Sequence, residues 1–179
     1  RFRRRVGESL ATIEKHSTPL EEATTPSLEA LKAFSTGRDV AVVNWERRLP
    51  HFQRAITIDP EFAMAHALVG FGYSTMGESA LGRQSLLKAY QLRNRASDVE
   101  RLNIETLYDR DVTGNLDRER QTLETWAESY PRDPRAHSLM AGLALTSTGQ
   151  HELAIAKTEK AIALDPDLTP SYGSRAFNQ

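Results

Sequence analysis

The pattern of apolar and polar residues repeats at two distant points of the chain. The segments AITIDPEFAMAH (Ala55–His66) and AIALDPDLTPSY (Ala161–Tyr172) each place an apolar Ala-Ile pair ahead of an Asp-Pro pair. Pro60 and Pro166 are 106 residues apart, which accommodates three units of about 34 residues with about four inserted residues. The pattern therefore predicts an internally repeated structural unit.

A complete unit lies between these two segments, in LVGFGYSTMGESALGRQSLLKAY (Leu68–Tyr90). It agrees with the last complete unit at five positions, whose offsets from the first glycine are 0, 3, 7, 12 and 19. Agreement at five positions indicates a repeat protein. The matching residues are Gly70, Tyr73, Gly77, Gly82 and Ala89 in one unit, and Gly142, Leu145, Gly149, Ala154 and Ala161 in the other.

Each repeated position has a steric reason. Small residues at offsets 0 and 12 allow two antiparallel helices to approach closely. Gly77 and Gly149 are expected to end the first helix of their units, since a residue in the left-handed region is least costly when it is Gly. The Asp-Pro pair then ends the second helix, because Pro lacks an amide donor. Each helix pair has an apolar face that it cannot bury alone, so adjacent pairs are expected to stack.

This spacing resembles the tetratricopeptide repeat (TPR), a helix–turn–helix unit of 34 residues. The resemblance implies an all-α fold, a right-handed α-α superhelix of about four units that follows a short N-terminal helix. The predicted divisions are residues 1–26 (helix and Pro-containing tether), 27–61, 62–96, 97–133 and 134–167 (units 1 to 4), and 168–179 (first helix of a truncated fifth unit).

Units 1 and 3 depart from the repeat pattern. Arg48 stands in unit 1 where a small residue is expected, and Glu119 stands in unit 3 where Ala is usual. Unit 3 also has a charged first helix and the sequence YPRDP in place of a single Asp-Pro pair. Ahead of unit 1, Ser27 is expected to cap the next helix, with Ala30 three residues beyond it.

A narrower resemblance extends along nearly the whole chain. The strings GESLATIEKHSTPLEEATTPSLEALKAFSTGR, FQRAITIDPEFAMAHALVGFGYSTMGE and TGNLDRERQTLETWAESYPRDP resemble the C-terminal repeats of multidomain bacterial serine/threonine protein kinases. That resemblance implies a regulatory region on the extracytoplasmic side of a membrane-anchored protein, with a cytoplasmic location as the alternative. Similar repeats follow bacterial transcriptional regulators and nucleotide cyclases, so these contexts stay open. No kinase motif occurs in this chain.

Composition excludes several classes of function. The net charge of −1 gives no field that favours nucleic acid, and the basic run at residues 1–5 is expected to be an exposed chain end. There is no Cys, so disulfides and thiolate-bound metals are excluded. No apolar run is long enough for a membrane helix, and we expect no direct membrane contact by this chain.

No pattern of catalytic or metal-binding residues is present. The string DRDVTGNLDRER (Asp109–Arg120) imitates the start of a calcium loop, but its twelfth position is Arg rather than Glu. Gly114 is instead expected to end the first helix of unit 3. The five His residues lack ligand spacing. We therefore predict no metal, no cofactor and no enzymatic activity for this chain.

The remaining functional surface is the concave face, which the first helix of each unit lines in TPR arrays. Such a surface suits an extended peptide or an amphipathic helix, so a protein or peptide partner is expected. Some of these residues could instead pack against neighbouring helices. The candidate groove residues are Met64, Ala67, Phe71, Ser74 and Thr75 in unit 2, Arg101, Ile104, Tyr108, Asp111 and Val112 in unit 3, and Ala136, Leu139, Leu143, Thr146 and Ser147 in unit 4.

The competing interpretation is structural. A chain that stops inside a fifth unit would expose an apolar edge, because terminal repeats normally carry a polar cap. Self-association through the open helix at 168–179 would then be the function, or would be a consequence of truncation. The two interpretations differ in concentration dependence, since groove binding would survive removal of that helix.

Overall fold

The computed structural model describes residues 25–40 and 44–166, and all regular structure in these ranges is helical. The predicted N-terminal helix and the predicted helix at 168–179 lie outside the described residues. The α-helices are α1 (Leu28–Asp39), α2 (Trp45–Ile58), α3 (Ala63–Thr75), α4 (Ser79–Leu92), α5 (Asp98–Tyr108), α6 (Leu116–Ser129), α7 (Pro134–Thr148) and α8 (His151–Leu164). A 3₁₀ turn (Arg93–Arg95) follows α4, and a π-helical turn (Asp109–Thr113) follows α5.

Local sequence sets where the helices begin and end. The Ser27 hydroxyl accepts a hydrogen bond from the Ala30 amide at 3.2 Å, which confirms the predicted cap of α1. Ser97 and Glu100 form a reciprocal capping box at the start of α5. Gly77, Gly114 and Gly149 have φ angles of 85°, 69° and 62°, so the left-handed glycines expected at the ends of the first helices of units 2, 3 and 4 are present, whereas α1 is followed by Val40 in an extended conformation.

The helices pack as successive antiparallel pairs, α1 with α2, α3 with α4, α5 with α6, and α7 with α8. In each pair we call the earlier helix the first helix and the later one the second helix. Within the first pair, Glu29 lies near Arg54 while Arg48 lies near Gly37, as antiparallel packing requires. Each second helix also packs on the first helix of the next pair. The predicted fold class, an all-α superhelix of TPR-type helix pairs, is thus confirmed.

The four second helices bury the same three positions, which are their fourth, eighth and eleventh residues. This spacing places all three side chains on one face of an α-helix. The fourth residue is the one at which the sequence pattern varies most in chemistry. The buried sets are Arg48, Phe52 and Ala55 in α2, Gly82, Leu86 and Ala89 in α4, Glu119, Leu123 and Trp126 in α6, and Ala154, Thr158 and Ala161 in α8.

The predicted steric role of the first glycine holds in one unit and not in the other. A Cβ atom at Gly70 would lie 2.6 Å from Leu86 Cγ and 3.0 Å from the Gly82 carbonyl oxygen, so the close approach of α3 and α4 requires glycine. At Gly142 no described atom lies within 4 Å of such a Cβ atom. Among the described atoms, the structure therefore gives no steric reason for glycine at position 142, unlike position 70.

The apolar core of the described residues falls into two clusters. The larger one runs from Ala30 in α1 to Leu107 in α5 and contains Phe52 and Phe62. The smaller one joins α6 and α7, where Leu123 and Trp126 pack with residues of α7. Helix α5 contributes to both clusters, with Ile104 and Leu107 in the larger one and Val99 and Leu102 packed against the smaller one.

Candidate functional site

Side chains from all four first helices meet in one concave cavity of about 360 Å³, which we call the inner groove. The first turn of α2 completes its wall. Helix α3 also contacts α5 directly, so these two first helices are adjacent in the groove wall. The groove is lined by Phe34, Arg38, Trp45, Arg48, Met64, Leu68, Phe71, Glu100, Asn103 and Arg135.

The floor of the inner groove is aromatic. The rings of Trp45 and Phe71 meet edge to face, with centroids 5.1 Å apart and planes at 81°. Phe34 packs on Phe62 behind them, with centroids 4.8 Å apart. Aromatic pairs in these arrangements add to the stabilisation from buried area. The floor is therefore apolar, and it is held by the core beneath it.

Arg48 is a buried cation at the edge of this floor, since only 8% of its surface is exposed. Its Nε–H donates to the Gly37 carbonyl at 2.9 Å. Its guanidinium lies 4.3 Å from the centroid of the Trp45 ring, where the ring face attracts a cation. Burial lowers the pKa of Arg48, and the charge of Arg38 lowers that pKa further. The residue that departs from the repeat pattern thus connects α1, α2 and the groove.

Two more arginines reach the groove from the ends of first helices. Burial lowers the pKa of Arg38, and the charge of Arg135 adds to that effect, while Asp39 and Glu100 oppose it. Arg135 binds the carboxylate of Asp133 through Nε and Nη2, at 2.8 and 2.6 Å. Burial alone would raise the pKa of Asp133, but its hydrogen bonds to Arg135 and the charge of that residue outweigh burial and lower the pKa.

Only some of the sequence-predicted groove residues line the inner groove. Met64 and Phe71 do. Ala67 and Ile104 are fully buried, and their prediction as accessible groove residues is corrected, because the adjacent helices cover them. Leu143 is also buried, and Leu139 packs beside it in the smaller cluster.

The other predicted residues lie elsewhere or make local contacts. The Tyr108 ring stacks on Tyr90 of α4 at 3.8 Å, away from the groove lining. Asp111 pairs with Arg110 at 2.8 Å. The remaining placements are Ser74 beside Gly82, Thr75 bonded to the Phe71 carbonyl, Arg101 paired with Asp98, Val112 packed on the larger cluster, and Ala136 in the smaller cluster. The side chains of Thr146 and Ser147 lie outside the described structure.

Sequence reasoning missed most of the groove's charge. Arg38 and Arg135 gave no signal in the repeat pattern, because each reaches the groove through a long side chain from a helix end. Arg48 could be recognised as unusual, since it replaces a small residue. The periodicity of the sequence did not show that its side chain extends toward the groove. The other lining residues that sequence reasoning missed are Phe34, Trp45, Leu68, Glu100 and Asn103.

A second concavity, of about 550 Å³, lies among α2, α3 and α4. Its lining includes Gln53, His66 and Lys88 together with the exposed side chains of Leu81 and Leu87. The Gln53 amide donates to the Tyr73 hydroxyl at 2.9 Å across it. This surface contains no cluster of like charges, and it involves only two helix pairs.

The described part of the chain contains no group of three or more His, Asp or Glu residues placed to hold a metal ion. Among the same residues, no helix has both the length and the apolar character needed to cross a membrane.

No family model matches the sequence, and no curated protein matches it. The solved structures to which this chain is similar include a MamA double mutant, at 17% identity and a TM-score of 0.43, covering 86% of this chain and 85% of that one. Another is YrrB, described as a TPR protein with an unusual peptide-binding site, at 16% identity and a TM-score of 0.41, covering 93% of this chain and 97% of that one. These likenesses assign no residue, ligand or partner to this chain.

Proposed function

We propose that this chain is a protein-interaction scaffold that binds an extended peptide or a partner helix in the inner groove. The observation that carries the proposal is the convergence of α1, α3, α5 and α7 on one cavity with an aromatic floor and a charged rim. Binding sites commonly combine a preformed apolar surface with a few polar groups that fix orientation. The inner groove has both. The rings of Trp45 and Phe71 hold each other in place by their edge-to-face contact and offer an apolar surface to a ligand.

A second, more specific proposal concerns the kind of protein to which the scaffold belongs. We propose that the scaffold is the regulatory region of a membrane-anchored bacterial serine/threonine kinase and lies on the extracytoplasmic side. Its support is the resemblance of three long sequence strings to the repeats of such kinases. A transcriptional regulator, a nucleotide cyclase or a cytoplasmic location is the alternative, and the gene that encodes the full protein would distinguish them.

A direct test is selection of peptides from a displayed library of random decapeptides on the immobilised chain. The selected peptides are then measured by fluorescence anisotropy against the wild type and the Phe71→Glu variant. A carboxylate beside Trp45 would repel the apolar part of a ligand and oppose an acidic one, so affinity should fall at least about ten-fold, roughly 1.4 kcal/mol. Leu153→Glu is the matched control, because Leu153 is exposed on α8, away from the groove.

Circular dichroism must show that both variants retain the wild-type helical content. Equal loss of binding in Phe71→Glu and Leu153→Glu, or the absence of any selected peptide, would contradict the groove proposal. Self-association is followed in the same preparations by analytical ultracentrifugation. Concentration-dependent mass that Phe71→Glu leaves unchanged would favour the structural alternative.

A further inference from the structure

The charged side chains that line the inner groove are unbalanced. Three of them are arginines, Arg38, Arg48 and Arg135, and one is a carboxylate, Glu100. This local excess contrasts with the whole chain, whose net charge is −1. Arg135 is already bound to Asp133, so the surplus positive charge is concentrated at Arg38 and Arg48.

Arg38 and Arg48 line the same cavity, and the charge of Arg38 lowers the pKa of Arg48, which is buried while Arg38 is exposed. Across residues 25–40 and 44–166, no carboxylate lies within ion-pair distance of either guanidinium. Arg48 satisfies one N–H with the Gly37 carbonyl and rests on the Trp45 ring. Since a guanidinium carries five N–H donors, it retains donors for an anion that enters the groove.

The chemistry of the surrounding surface narrows the choice of anion. Phe34, Trp45, Leu68 and Phe71 form most of the remaining lining, which suits the side chains of a peptide. A nucleic acid would need phosphate contacts along a longer basic track, and the described groove offers three arginines at one place. A carboxylate fits the planar, two-pronged geometry of a guanidinium.

We propose that the inner groove selects an acidic peptide segment, whose Asp or Glu side chains bind Arg38 and Arg48 while a neighbouring apolar side chain packs on Trp45 and Phe71. This inference rests on the proposed function, because it names the ligand class of the same groove. Bound carboxylates would offset the positive charge that Arg38 places near the buried guanidinium of Arg48. The ligand therefore supplies what the folded chain lacks at this point.

The test uses the decapeptides selected on the full chain, sequenced and compared with the unselected library. Asp and Glu should be enriched, and replacing them by Asn and Gln in a fluorescein-labelled peptide should weaken binding at least about ten-fold, as expected for a charge-assisted hydrogen bond. Arg38→Gln should weaken the parent peptide by a similar factor and leave the Asn/Gln peptide nearly unchanged. Arg83→Gln, an equal loss of charge on the exposed face of α4, should have less than about a two-fold effect.

The outcomes separate this inference from the function on which it rests. Selected peptides that lack acidic residues but still lose affinity in Phe71→Glu would overturn the acidic-ligand inference and retain the scaffold. No selected peptide at all would overturn both. A thymidine oligonucleotide of about 15 residues that binds more tightly than the peptides, and is weakened by Arg38→Gln, would overturn the inference in favour of nucleic acid.

Discussion

Arg48 and Glu119 occupy the same register position, the fourth residue of a second helix, in two different helix pairs. The equivalent residues in the other two pairs are Gly82 and Ala154, so a small side chain is compatible with the site. Arg48 and Glu119 are both buried, at 8% and 0% exposure. One buried charge has hydrogen-bond and ring contacts, whereas neither carboxylate oxygen of Glu119 has a partner among the described residues.

The difference lies in reach. The guanidinium of Arg48 extends to the Gly37 carbonyl and to the open groove. The shorter side chain of Glu119 ends inside the third pair, where burial raises its pKa to about 7. Arg110 lowers that pKa, and Asp111 and Asp109 raise it. A buried charge is therefore tolerated at this register position when it can reach a polar group, and otherwise the group binds a proton.

Replacing Arg48 should have the largest effect on stability. Arg48→Met keeps much of the side chain's length but leaves the Gly37 carbonyl without its donor and removes the contact with the Trp45 ring. The free energy of unfolding should fall by about 3 kcal/mol, measured by urea denaturation. Arg47→Met, at the exposed neighbouring position, should change it by less than about 0.5 kcal/mol. An Arg48→Met variant as stable as the wild type would show that the contacts of Arg48 do not stabilise the fold.

Replacing Glu119 should raise the free energy of unfolding, the opposite of the change expected for Arg48. Glu119→Met fills nearly the same volume with an apolar side chain and removes a carboxylate that has no partner. At about pH 8, where that carboxylate is ionised, the variant should be more stable by about 2–3 kcal/mol. Glu128→Met is the control, since Glu128 is exposed on the same helix. A destabilised Glu119→Met would indicate that Glu119 has a stabilising role in the third pair.

The pH dependence of stability should identify Glu119 as a proton-binding site. Its folded-state pKa, about 7, lies above the value of 4.5 expected for an unfolded chain, so the folded state binds the proton more tightly. The corresponding stabilisation is complete below the unfolded pKa and is lost as pH rises through the folded pKa.

Between about pH 5 and pH 8, the wild type should therefore lose about 2 kcal/mol relative to Glu119→Met. The readout is the difference in unfolding free energy between these two proteins at each pH, because His137 and the other titrating groups are common to both. A difference that stays constant with pH would show that Glu119 is ionised throughout.

The smallest effects concern two glycines of first helices, Gly70 and Gly142, which are the first glycines of units 2 and 4. In Gly70→Ala the new methyl group would push away both Leu86 and the Gly82 carbonyl. The free energy of unfolding should fall by about 1–2 kcal/mol, after the gain in helix propensity is included. Gly142→Ala meets no described atom within 4 Å and should instead stabilise the chain by about 0.5–1 kcal/mol. Thermal denaturation of the two variants would distinguish them by the sign of the change in Tm. A change in Tm of the same sign in both variants would contradict the difference in the space around the two glycines.

These residues also show how far the sequence could lead. The repeat of small and apolar residues was sufficient for the all-α fold and the cap at Ser27, because both depend on local spacing. It could not separate Phe71, which lines the groove and is half-buried, from Ala67, which is fully buried, since both lie on first-helix positions whose exposure depends on neighbouring helices. Arg38 and Arg135 line the groove because their long side chains extend into it from helix ends. The spacing of residues along one helix does not predict this.

The division of the core into two clusters has a consequence for how the chain unfolds. Trp45 packs against the larger cluster and Trp126 lies in the smaller one, while Asp109 and Glu119 lie where the chain passes from one to the other. An array held together by nearest-neighbour contacts loses cooperativity where a junction is weak. We therefore expect the fluorescence of Trp45 and Trp126 to report two separate unfolding transitions, and a junction strengthened at residue 119 should make these transitions coincide.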